Sequence, residues 1–318
     1  MVKIPISIII PTMNRPETLV NTIVSVISSD NIPNEIIIID QSKDKVKVAE
    51  IKQEIESICG DICIKYITMM DASLTKARNL GCENCSNEIM VCMDDDIEVN
   101  KDTFKEIYNI MKDDNISMIA GIDELSEIGK SIGGYLFGKK YIFMKNKGYV
   151  TKAIFGRYPN KINNRIETQW AMGYFFVVKK SLVKKWKIKW DENLISYAYP
   201  EDLDFSYTYY KKSEINGYKC IIDPRIKVRH LCSKEYRIPS LKSTIMFVVN
   251  REYLSYKHFK SPFSRVMTRW ANIGEIFNRI IKRESPMDLI KAQYYCDKYR
   301  KQIKSGEIPK FLYRENDI

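Results

Sequence analysis

Short runs of apolar, mostly β-branched residues recur along the first 121 residues, and between them apolar residues return every three or four positions. A continuous run is typical of a strand buried on both faces, and the longer spacing is typical of an amphipathic helix. The pattern predicts strands at 6–10, 36–39, 62–67, 89–93 and 117–121, and helices at 16–28, 46–58, 74–85 and 103–111. Strands that alternate with helices predict a mostly parallel sheet flanked by helices.

The second half of the chain has a weaker pattern. Residues 129–164 combine glycine, lysine and aromatic residues and predict loops or a short antiparallel piece. The predicted elements that follow are a strand at 169–178, helices at 179–186 and 203–212, and short strands at 219–222 and 226–228. Beyond Pro239 the pattern is helical throughout. We therefore predict an α/β domain over 1–238, with halves 1–121 and 122–238, and a helical C-terminal region over 239–318.

The chain is basic, with 51 Lys and Arg against 40 Asp and Glu and a formal net charge of +11. Residues 239–318 hold 16 of the basic and 8 of the acidic residues, so +8 of that charge lies in the tail. Such a charge permits acidic partners, but no nucleic-acid-binding motif accompanies it, and we expect no nucleic acid partner. Since no apolar run is long enough for a membrane span or a signal peptide, a cytoplasmic protein is expected.

The eight cysteines form no disulfide framework, and reduced thiols are expected. Cys82 and Cys85 are spaced like a metal-binding or redox pair, but both lie on a predicted helix. A zinc site would require further ligands, and the chain has only two histidines, His230 and His258. Small core residues are therefore the favoured interpretation of this pair.

Polar residues follow the predicted strands where a parallel sheet binds its ligands. Pro11, Asp40 and Asp94-Asp95-Asp96 all stand at carboxyl ends of strands, which meet along one edge of such a sheet. Three adjacent carboxylates repel one another unless a cation compensates them. A hard divalent cation, Mn²⁺ or Mg²⁺, suits oxygen ligands and leaves room for substrate phosphates. The alternative is a solvated acidic turn.

Five segments in this order carry a family resemblance: SIIIPTMNRPETL, IIIIDQSKD, LTKARNLGCENCSNEIMVCMDDDIEVN, WDENL and YPEDLDF. Together they resemble the inverting family 2 nucleotide-sugar glycosyltransferases, which have the GT-A fold. The likeness spans residues 4–230, and the tail adds nothing to it. It implies a metal-dependent enzyme that moves a sugar from a UDP- or dTDP-sugar to a hydroxyl of a saccharide or lipid-linked saccharide, in surface polysaccharide synthesis.

The resemblance also implies roles on the donor side. The positions that match nucleotide-sugar-binding residues are Pro11, Thr12, Asn14, Asp40, Arg78, Asp94 and Asp95. Asp96, the last residue of the D-x-D motif, and His230 match the metal ligands. Two departures concern the base pocket, because Ile39 and Gln41 stand where the family often has Asp and Gly. The alternatives are a helix-surface charge for Arg78 and a structural hydrogen bond for His230.

On the acceptor side, the resemblance implies that Asp202 is the catalytic base, with Glu201 next in line. Acidic residues are common in a first helical turn because of the helix dipole, so capping is the alternative. The positions that match acceptor-binding residues are Trp170, Gly173 and Tyr174, with a plain core strand as the alternative. His258 matches nothing and is predicted to be a surface residue.

Two other functions compete with this one. A nucleotidyltransferase acting on sugar phosphates would also have a parallel sheet, but it would be expected to carry a Gly-rich loop with a lysine after its first strand. PTMNRPETL has neither. A non-catalytic nucleotide-sugar-binding relative would be expected to lose Asp96, Asp202 or His230, and all three are present.

The tail contains one apolar stripe at helical spacing, made of Met267, Trp270, Ile273, Ile276, Phe277, Ile280 and Ile281. Its basic flanks are Arg265, Arg269, Arg279, Lys282 and Arg283. Packing of the stripe on the catalytic domain is one interpretation. Attachment of the helix to an anionic membrane surface is the other.

Overall fold

The alternating half of the sequence forms a sheet with helices on both sides. The computed structural model describes residues 2–126, 133–144, 146–195, 198–232, 240–309 and 312. The strands are β1 (Val2–Thr12), β2 (Asn31–Asp40), β3 (Cys63–Thr68), β4 (Ile89–Met93), β5 (Ile97–Val99), β6 (Ile116–Asp123), β7 (Tyr149–Val150), β8 (Gly156–Arg157), β9 (Ile166–Glu167), β10 (Phe175–Lys179) and β11 (Lys219–His230).

The helices of the described residues divide between the α/β part and the tail. Those that flank the sheet or precede the tail are α1 (Pro16–Ile27), α2 (Lys45–Cys59), α3 (Leu74–Asn84), α4 (Thr103–Met111), α5 (Gly133–Leu136), α6 (Lys180–Lys185) and α7 (Glu201–Ile215). The tail contains α8 (Ser240–His258), α9 (Pro262–Ile281), α10 (Met287–Lys298) and α11 (Arg300–Ser305). The predicted helical tail is confirmed.

Nine strands of the described residues form one sheet in the order β3-β2-β1-β4-β10-β6-β11-β5, with β9 paired to β11 off this path. Strands β1 to β4 run parallel, and β6 and β11 point the same way. Strand β10 runs antiparallel between β4 and β6, and β5 and β9 pair antiparallel with β11. The α/β class with a mostly parallel sheet is confirmed, and the sheet is mixed.

The predicted strand at 169–178 is wrong in its first half, because β10 begins at Phe175. Two backbone N–H groups of the segment before it donate to side chains of helix α7 rather than to a neighbouring strand. The Ala171 N–H donates to Ser206 Oγ at 3.0 Å, and the Gly173 N–H donates to Asp202 Oδ2 at 2.9 Å. Side chains of α7 thus take the place of a strand as hydrogen-bond partners, and the backbone leaves the strand ladder.

Two smaller differences concern strands near the edge. Residues 219–228 were predicted to form two short strands, but they belong to one strand, β11, with a shift of register between Ile222 and Lys227. The three-residue strand β5 was not predicted, since it is too short to show a pattern. In the irregular region, β7 and β8 form the expected short antiparallel pair, while 127–132 and 145 lie outside the described residues.

The tail shares a core with the α/β part. One cluster of buried apolar residues joins Trp170 and Leu203 to Val249 of α8 and Leu289 of α10. Residues on the two sides of the predicted boundary therefore pack together, and the division into 1–238 and 239–318 stays a prediction. Among the described residues, no helix has the length and hydropathy needed to cross a membrane.

Candidate active site

The carboxyl ends of several strands bring the predicted residues to one edge of the sheet. Thr12 and Asp40 are paired at the ends of β1 and β2, and Asp94 follows β4 directly. The pairing of His230 with Ile97 brings the end of β11 beside the acidic triplet. The Leu231 N–H then donates to the Asp96 carbonyl at 3.0 Å and fixes this approach.

One cluster of potential metal ligands exists among the described residues. Ligand atoms of Asp94, Asp96 and His230 all lie within 4.8 Å of one another. His230 Nε2 is 3.2 Å from Asp96 Oδ1, and the His230 ring stacks on Tyr174 at a centroid distance of 5.1 Å. Two carboxylates and one imidazole suit a divalent cation such as Mn²⁺.

The charge balance of the site also fits a cation. Burial raises the pKa of Asp94; Arg78 opposes the rise, and the neighbouring Asp96 adds to it. Burial lowers the pKa of His230, but the carboxylates of Asp96, Asp94 and Asp123 outweigh it and raise the pKa above its usual value. The negative charge near these residues thus exceeds what the nearby arginines compensate.

The middle residue of the triplet points to a different set of partners. Asp95 accepts hydrogen bonds from Thr12 Oγ1 at 2.7 Å and from Arg15 Nη1 at 3.0 Å. Burial raises the pKa of Asp95 to about 6, with Arg15 and Thr12 opposing the rise. Arg15 also lies 3.8 Å from Asp96 Oδ2. Arg15 was not predicted from the sequence, although its position just after the first strand could have indicated it.

Arg78 lies inside the site rather than on the helix surface, with 2% of its side chain exposed. Its guanidinium donates to Glu201 Oε1 at 2.7 Å, to Asp94 Oδ1 at 2.8 Å and to the Gly173 carbonyl at 3.2 Å. The guanidinium also lies 4.5 Å above the Trp190 ring. Arg78 therefore joins the D-x-D motif to the acidic pair at the start of α7. A surface charge is excluded.

Asp202 is in the first turn of α7, and its carboxylate accepts hydrogen bonds from two backbone N–H groups. Its Oδ2 accepts from Gly173 at 2.9 Å and its Oδ1 from Leu203 at 2.7 Å. A Cβ at Gly173 would lie 2.9 Å from Asp202 Cβ and 3.2 Å from the guanidinium nitrogens of Arg78, so the close approach requires glycine. Burial raises the pKa of both Asp202 and Glu201, and Arg78 opposes each rise.

A second part of the edge forms a small cavity of about 120 Å³. Thr12, Asn14, Arg15 and Asp40 line it, together with residues of α1 and α2. Asp40 accepts from Tyr66 OH at 2.5 Å and from the Ser42 N–H at 2.8 Å. Asn14 has a positive φ of 56°, which turns the loop after β1 toward Ser42. Pro11 is buried in β1.

Two predicted acceptor residues are largely buried. Trp170 is 6% exposed, and its ring packs on Tyr158 at a centroid distance of 5.0 Å. Tyr174 is 7% exposed and donates from its hydroxyl to the Gly121 carbonyl at 3.0 Å. Tyr174 thus packs against the face of the His230 ring and helps to fix its position. Contact of Trp170, Gly173 and Tyr174 with an acceptor stays a prediction.

His258 was predicted to be a surface residue, and this is wrong. Its side chain is 1% exposed, and its Nε2 lies 2.8 Å from Asp204 Oδ1. Lys211 Nζ lies 2.8 Å from Nδ1 of the same ring. The residue is at the end of α8, and its ring is buried because α8 packs beside α7. A histidine on a helix end gives no sequence signal for such a neighbour.

The cysteines are all free. Cys85 is buried and donates its thiol to the Gly81 carbonyl at 3.4 Å, while Cys82 is half-buried. No cysteine belongs to the cluster of potential metal ligands in the described residues. This environment agrees with the interpretation of the pair as core residues.

Known proteins resemble both the sequence and the fold. Poly(ribitol-phosphate) beta-N-acetylglucosaminyltransferase TarP of Staphylococcus aureus (strain N315) is 24% identical over 302 residues, covering 94% of this chain and 79% of TarP. Among solved structures, S. aureus TarS 1-349 in complex with UDP-GlcNAc has a TM-score of 0.56 at 14% identity, covering 98% of this chain and 89% of that one.

Two further similar structures contain Mn²⁺. Mannosyltransferase PcManGT from Pyrobaculum calidifontis, in complex with GDP-Man and Mn²⁺, has a TM-score of 0.54 at 14% identity, covering 95% of this chain and 84% of that one. GalNAc-T7 with UDP, GalNAc and Mn²⁺ reaches 0.60 at 16% identity, covering 94% of this chain and 57% of that one. These likenesses confirm the predicted GT-A fold.

A family match covers more than half of the chain. Residues 7–186 match the family described as Glycosyl transferase family 2. The matched residues include the loop after β1, the D-x-D motif and Gly173. The acidic pair at the start of α7 lies beyond the matched residues. The chain therefore belongs to glycosyl transferase family 2, and it is a glycosyltransferase.

Proposed function

We propose that this enzyme transfers a sugar from UDP-sugar, or from dTDP-sugar, to a hydroxyl group of a saccharide or lipid-linked saccharide, with inversion at the anomeric carbon. The observation that carries the proposal is the Arg78 bridge. It connects Asp94, one of the three potential metal ligands, to Glu201, beside the proposed base. This bridge supports a donor site and a proton acceptor on opposite sides of one guanidinium.

On the donor side, the cavity near Asp40 is the proposed place of the nucleotide base. Thr12 and Asn14 line it, with Pro11 next to Thr12 in β1, and Asp40 accepts hydrogen bonds in the structure, as it would from the N–H of a uracil or thymine. The UDP-GlcNAc complex of TarS supports a uridine donor. UDP-GlcNAc is the first donor to test, because TarP is an N-acetylglucosaminyltransferase by name.

We assign Asp96 and His230, with Asp94 close by, to a divalent cation, Mn²⁺ or Mg²⁺. When bound, such an ion neutralises charge on the diphosphate and on the leaving group. Two of the similar structures contain Mn²⁺ beside a nucleotide or nucleotide sugar, which supports this assignment. Arg15 and Arg78 orient the carboxylates around this position by hydrogen bonds.

Asp202 is the proposed base. The acceptor oxygen forms a bond to the anomeric carbon, the bond from that carbon to the diphosphate oxygen breaks, and the leaving UDP takes the electron pair. The proton of the acceptor hydroxyl passes to Asp202. The N–H groups of Gly173 and Leu203 fix the carboxylate for this step, which is how a weak base becomes effective by positioning. Glu201, bound to Arg78, holds that arginine in place.

The biological setting is proposed from the same relatives. TarP acts, by its name, on poly(ribitol-phosphate), and a surface polysaccharide or its lipid-linked precursor is the corresponding proposal for this chain. A cytoplasmic location follows as an expectation. A nucleotidyltransferase activity or a loss of catalysis has no supporting observation beside the family match.

The donor and the metal can be tested on the purified protein by thermal unfolding and by UDP release. We expect UDP-GlcNAc or another UDP-sugar to raise the melting temperature with MnCl₂ and to do so much less with EDTA. Asp96→Ala should lose this Mn²⁺-dependent shift and the UDP release. Asp114→Ala is the matched control, since its carboxylate is fully exposed and lies just before β6, at the edge of the sheet opposite to the strand ends.

Two outcomes would contradict the proposal in different ways. Equal stabilisation of the parent and of Asp96→Ala by UDP and Mn²⁺ would remove the metal assignment. Stabilisation by GDP-sugars alone, across a panel of donors, would remove uracil and thymine as the base.

A further inference from the structure

Helix α9 packs on the protein with its small face, not with its large apolar residues. The residues of α9 buried against the molecule are Ser264, Thr268, Ala271, Asn272 and Gly274. On the opposite side, at spacings of three and four, the exposed residues are Phe263 (54%), Val266 (59%), Trp270 (41%), Ile273 (40%), Phe277 (53%) and Ile280 (54%), followed by Ile281 (80%). Most of the stripe noted in the sequence therefore faces outward.

A second segment extends this surface. Phe137, just after α5, packs between α9 side chains, with ring centroids 5.3 Å from Trp270 and 6.4 Å from Phe277. The indole N–H of Trp270 donates to the Leu136 carbonyl at 2.9 Å, and Leu136 itself is 67% exposed. We call the combined surface the apolar face; its members are Leu136, Phe263, Val266, Trp270, Ile273, Phe277, Ile280 and Ile281.

An exposed row of this size is unusual for a soluble protein, because single exposed apolar residues are common but contiguous large patches mark interaction sites. Ile215 and Val46 are examples of single exposed apolar residues in this chain. The apolar face therefore requires an occupant.

The charge around the apolar face selects the kind of occupant. The described residues of 133–144 and 260–283 contain one acidic residue, Glu275, and eight basic residues: Lys139, Lys140, Lys260, Arg265, Arg269, Arg279, Lys282 and Arg283. Glu275 is paired with Lys139 at 2.6 Å. Arg269 and Arg279 pair with acidic residues of neighbouring helices, whereas Lys282 and Arg283 make no ion pair within the described chain.

These charges disfavour a second copy of the chain. In a twofold dimer through this face, the same basic residues would oppose one another across the contact, which is repulsive. An anionic lipid surface has the complementary charge, and the apolar side chains of an interfacial helix enter the boundary between headgroups and acyl chains. Trp270 suits that boundary, since its ring is apolar and its N–H is polar.

We propose that the apolar face docks this enzyme on an anionic lipid bilayer, with α9 lying in the plane of the interface. The buried side of α9 contacts the loop between β7 and β8, where Ser264 Oγ donates to the Lys152 carbonyl. The same loop leads to Arg157, whose carbonyl accepts from the Trp170 indole at 3.3 Å. Docking thus occurs on the half of the molecule proposed to bind the acceptor. The docking surface itself does not depend on the proposed function.

Vesicle binding tests the docking directly. The full chain is sedimented with vesicles of phosphatidylglycerol and phosphatidylcholine, and with vesicles of phosphatidylcholine alone. We expect binding to the anionic vesicles at about 0.05 M NaCl and a strong decrease at about 0.5 M, because the attraction is screened. Ile280→Ser combined with Ile281→Ser, and separately Lys282→Glu combined with Arg283→Glu, should each weaken binding about tenfold or more.

The matched control is Ile215→Ser, an equally exposed isoleucine (81%) on α7, which should bind like the parent. Melting temperature and UDP release in solution show whether each variant is folded and active. Both should stay unchanged, so loss of docking and failure of the proposed chemistry are distinguishable.

Tryptophan fluorescence gives a second, site-specific measurement. Trp170 and Trp190 are buried and Trp186 is half-buried, so Trp270 is the most exposed of the four tryptophans. Anionic vesicles should shift the emission to shorter wavelength in the parent and not in Trp270→Phe, which keeps an aromatic ring beside Phe137.

The proposal is overturned if the parent does not bind anionic vesicles at low salt, or if both double variants bind as tightly as the parent. Sedimentation velocity without lipid tests the alternative occupant, a second copy of this chain. Self-association that Ile280→Ser/Ile281→Ser abolishes, in a parent that does not bind vesicles, would make the apolar face a contact between copies of this chain.

Discussion

Two clusters of buried charged residues include neighbouring positions of α7. They differ in how far the negative charge is compensated by positive charge. The strand-end cluster comprises Arg15, Arg78, Asp94, Asp95, Asp96, Glu201, Asp202 and His230. The helix-clamp cluster comprises Asp191, Asp204, Lys211, Tyr253, Lys257 and His258. Asp202 and Asp204 are separated by one residue and belong to different clusters.

In the helix-clamp cluster the charges are compensated. Lys257 Nζ lies 2.6 Å from Asp191 Oδ2 and 2.7 Å from Asp204 Oδ2, and Tyr253 OH donates to Asp191 at 2.6 Å. Burial alone would raise the pKa of Asp204, but His258 and Lys257 outweigh it and lower the pKa. Burial lowers the pKa of His258, which is consistent with a neutral ring that donates from Nε2 to Asp204.

In the strand-end cluster the charges are not compensated. Five carboxylates face two arginines, and the pKa of Asp94, Asp95, Glu201 and Asp202 is raised in each case chiefly by burial. Burial is similar in the two clusters, so burial is not what distinguishes them. A protein that keeps negative charge uncompensated in its interior leaves it for a ligand, and such perturbed groups concentrate at functional sites.

The largest expected effect is on catalysis at Asp202. Asp202→Asn should reduce transfer by a factor of about 10²–10⁴ while UDP-sugar binding changes little, because the amide keeps an acceptor for the Gly173 N–H but takes up no proton. Steady-state rates and donor titration measure the two quantities. The amide cannot also accept from the Leu203 N–H, so the gain from removing a poorly compensated charge is offset by one lost hydrogen bond, and the free energy of unfolding should change little.

Glu201→Gln is the comparison variant for this experiment, because it tests the neighbouring carboxylate that holds Arg78. If Asp202→Asn keeps more than about a tenth of the parent rate, well short of the usual loss of a base, Asp202 is not the base.

The second-largest expected effect is on stability instead of catalysis, and it occurs at Asp204. Asp204→Asn should lower the free energy of unfolding by about 1.5–3 kcal/mol, since Lys257 and His258 lose a charged partner. A fully buried pair would cost more, but Lys257 is 31% exposed and can reach water. Urea unfolding measures the loss, and donor binding should be unaffected.

Asp71→Asn, at a surface ion pair, is the control and should change stability by less than about 1 kcal/mol. If the donor affinity of Asp204→Asn falls as steeply as its stability, the helix-clamp cluster belongs to the site. The contrast between the two clusters would then be wrong.

The smallest effect concerns a third buried carboxylate, Glu35 on β2. Burial would raise its pKa, but hydrogen bonds from Lys65, Ser7 and Ser86 outweigh it and lower the pKa to about 2. A group with a lowered folded-state pKa stabilises the protein above its unfolded-state pKa and loses this effect as the pH falls. Between about pH 5 and about pH 3, the parent should lose about 1–2 kcal/mol through Glu35.

Glu35→Gln should be less stable than the parent at neutral pH, and the difference should shrink toward pH 3. Urea unfolding at several pH values measures it. A difference that stays constant over this range would show that the pairing of Glu35 with Lys65 does not act through ionisation.

Local sequence signals predicted well which polar residues lie together at the strand ends. The runs Ile6–Ile10, Ile36–Ile39 and Ile89–Met93 are buried in β1, β2 and β4, and the polar residues directly after them lie at one edge of the sheet. This works because a parallel sheet forces its strand ends together, so a position in the sequence becomes a position in space.

The surroundings of α7 were less predictable, because the contacts there come from distant segments. The direction of β10, the hydrogen bonds of residues 171–173 to α7 and the burial of Arg78 between Glu201 and Asp94 each depend on which segments become neighbours. A charged residue on a helix gives the same local pattern whether it faces water or two carboxylates.

The sequence by itself determined most of the strands and helices, the polar edge and the existence of an apolar stripe on α9, since each follows from the periodicity of burial along one element. Only the tertiary structure decided that His258 is buried, that α9 turns its small residues inward and its apolar face outward, and that Asp202 and Asp204 have opposite environments. Periodicity identifies a face, but the partner of that face is set by non-local packing.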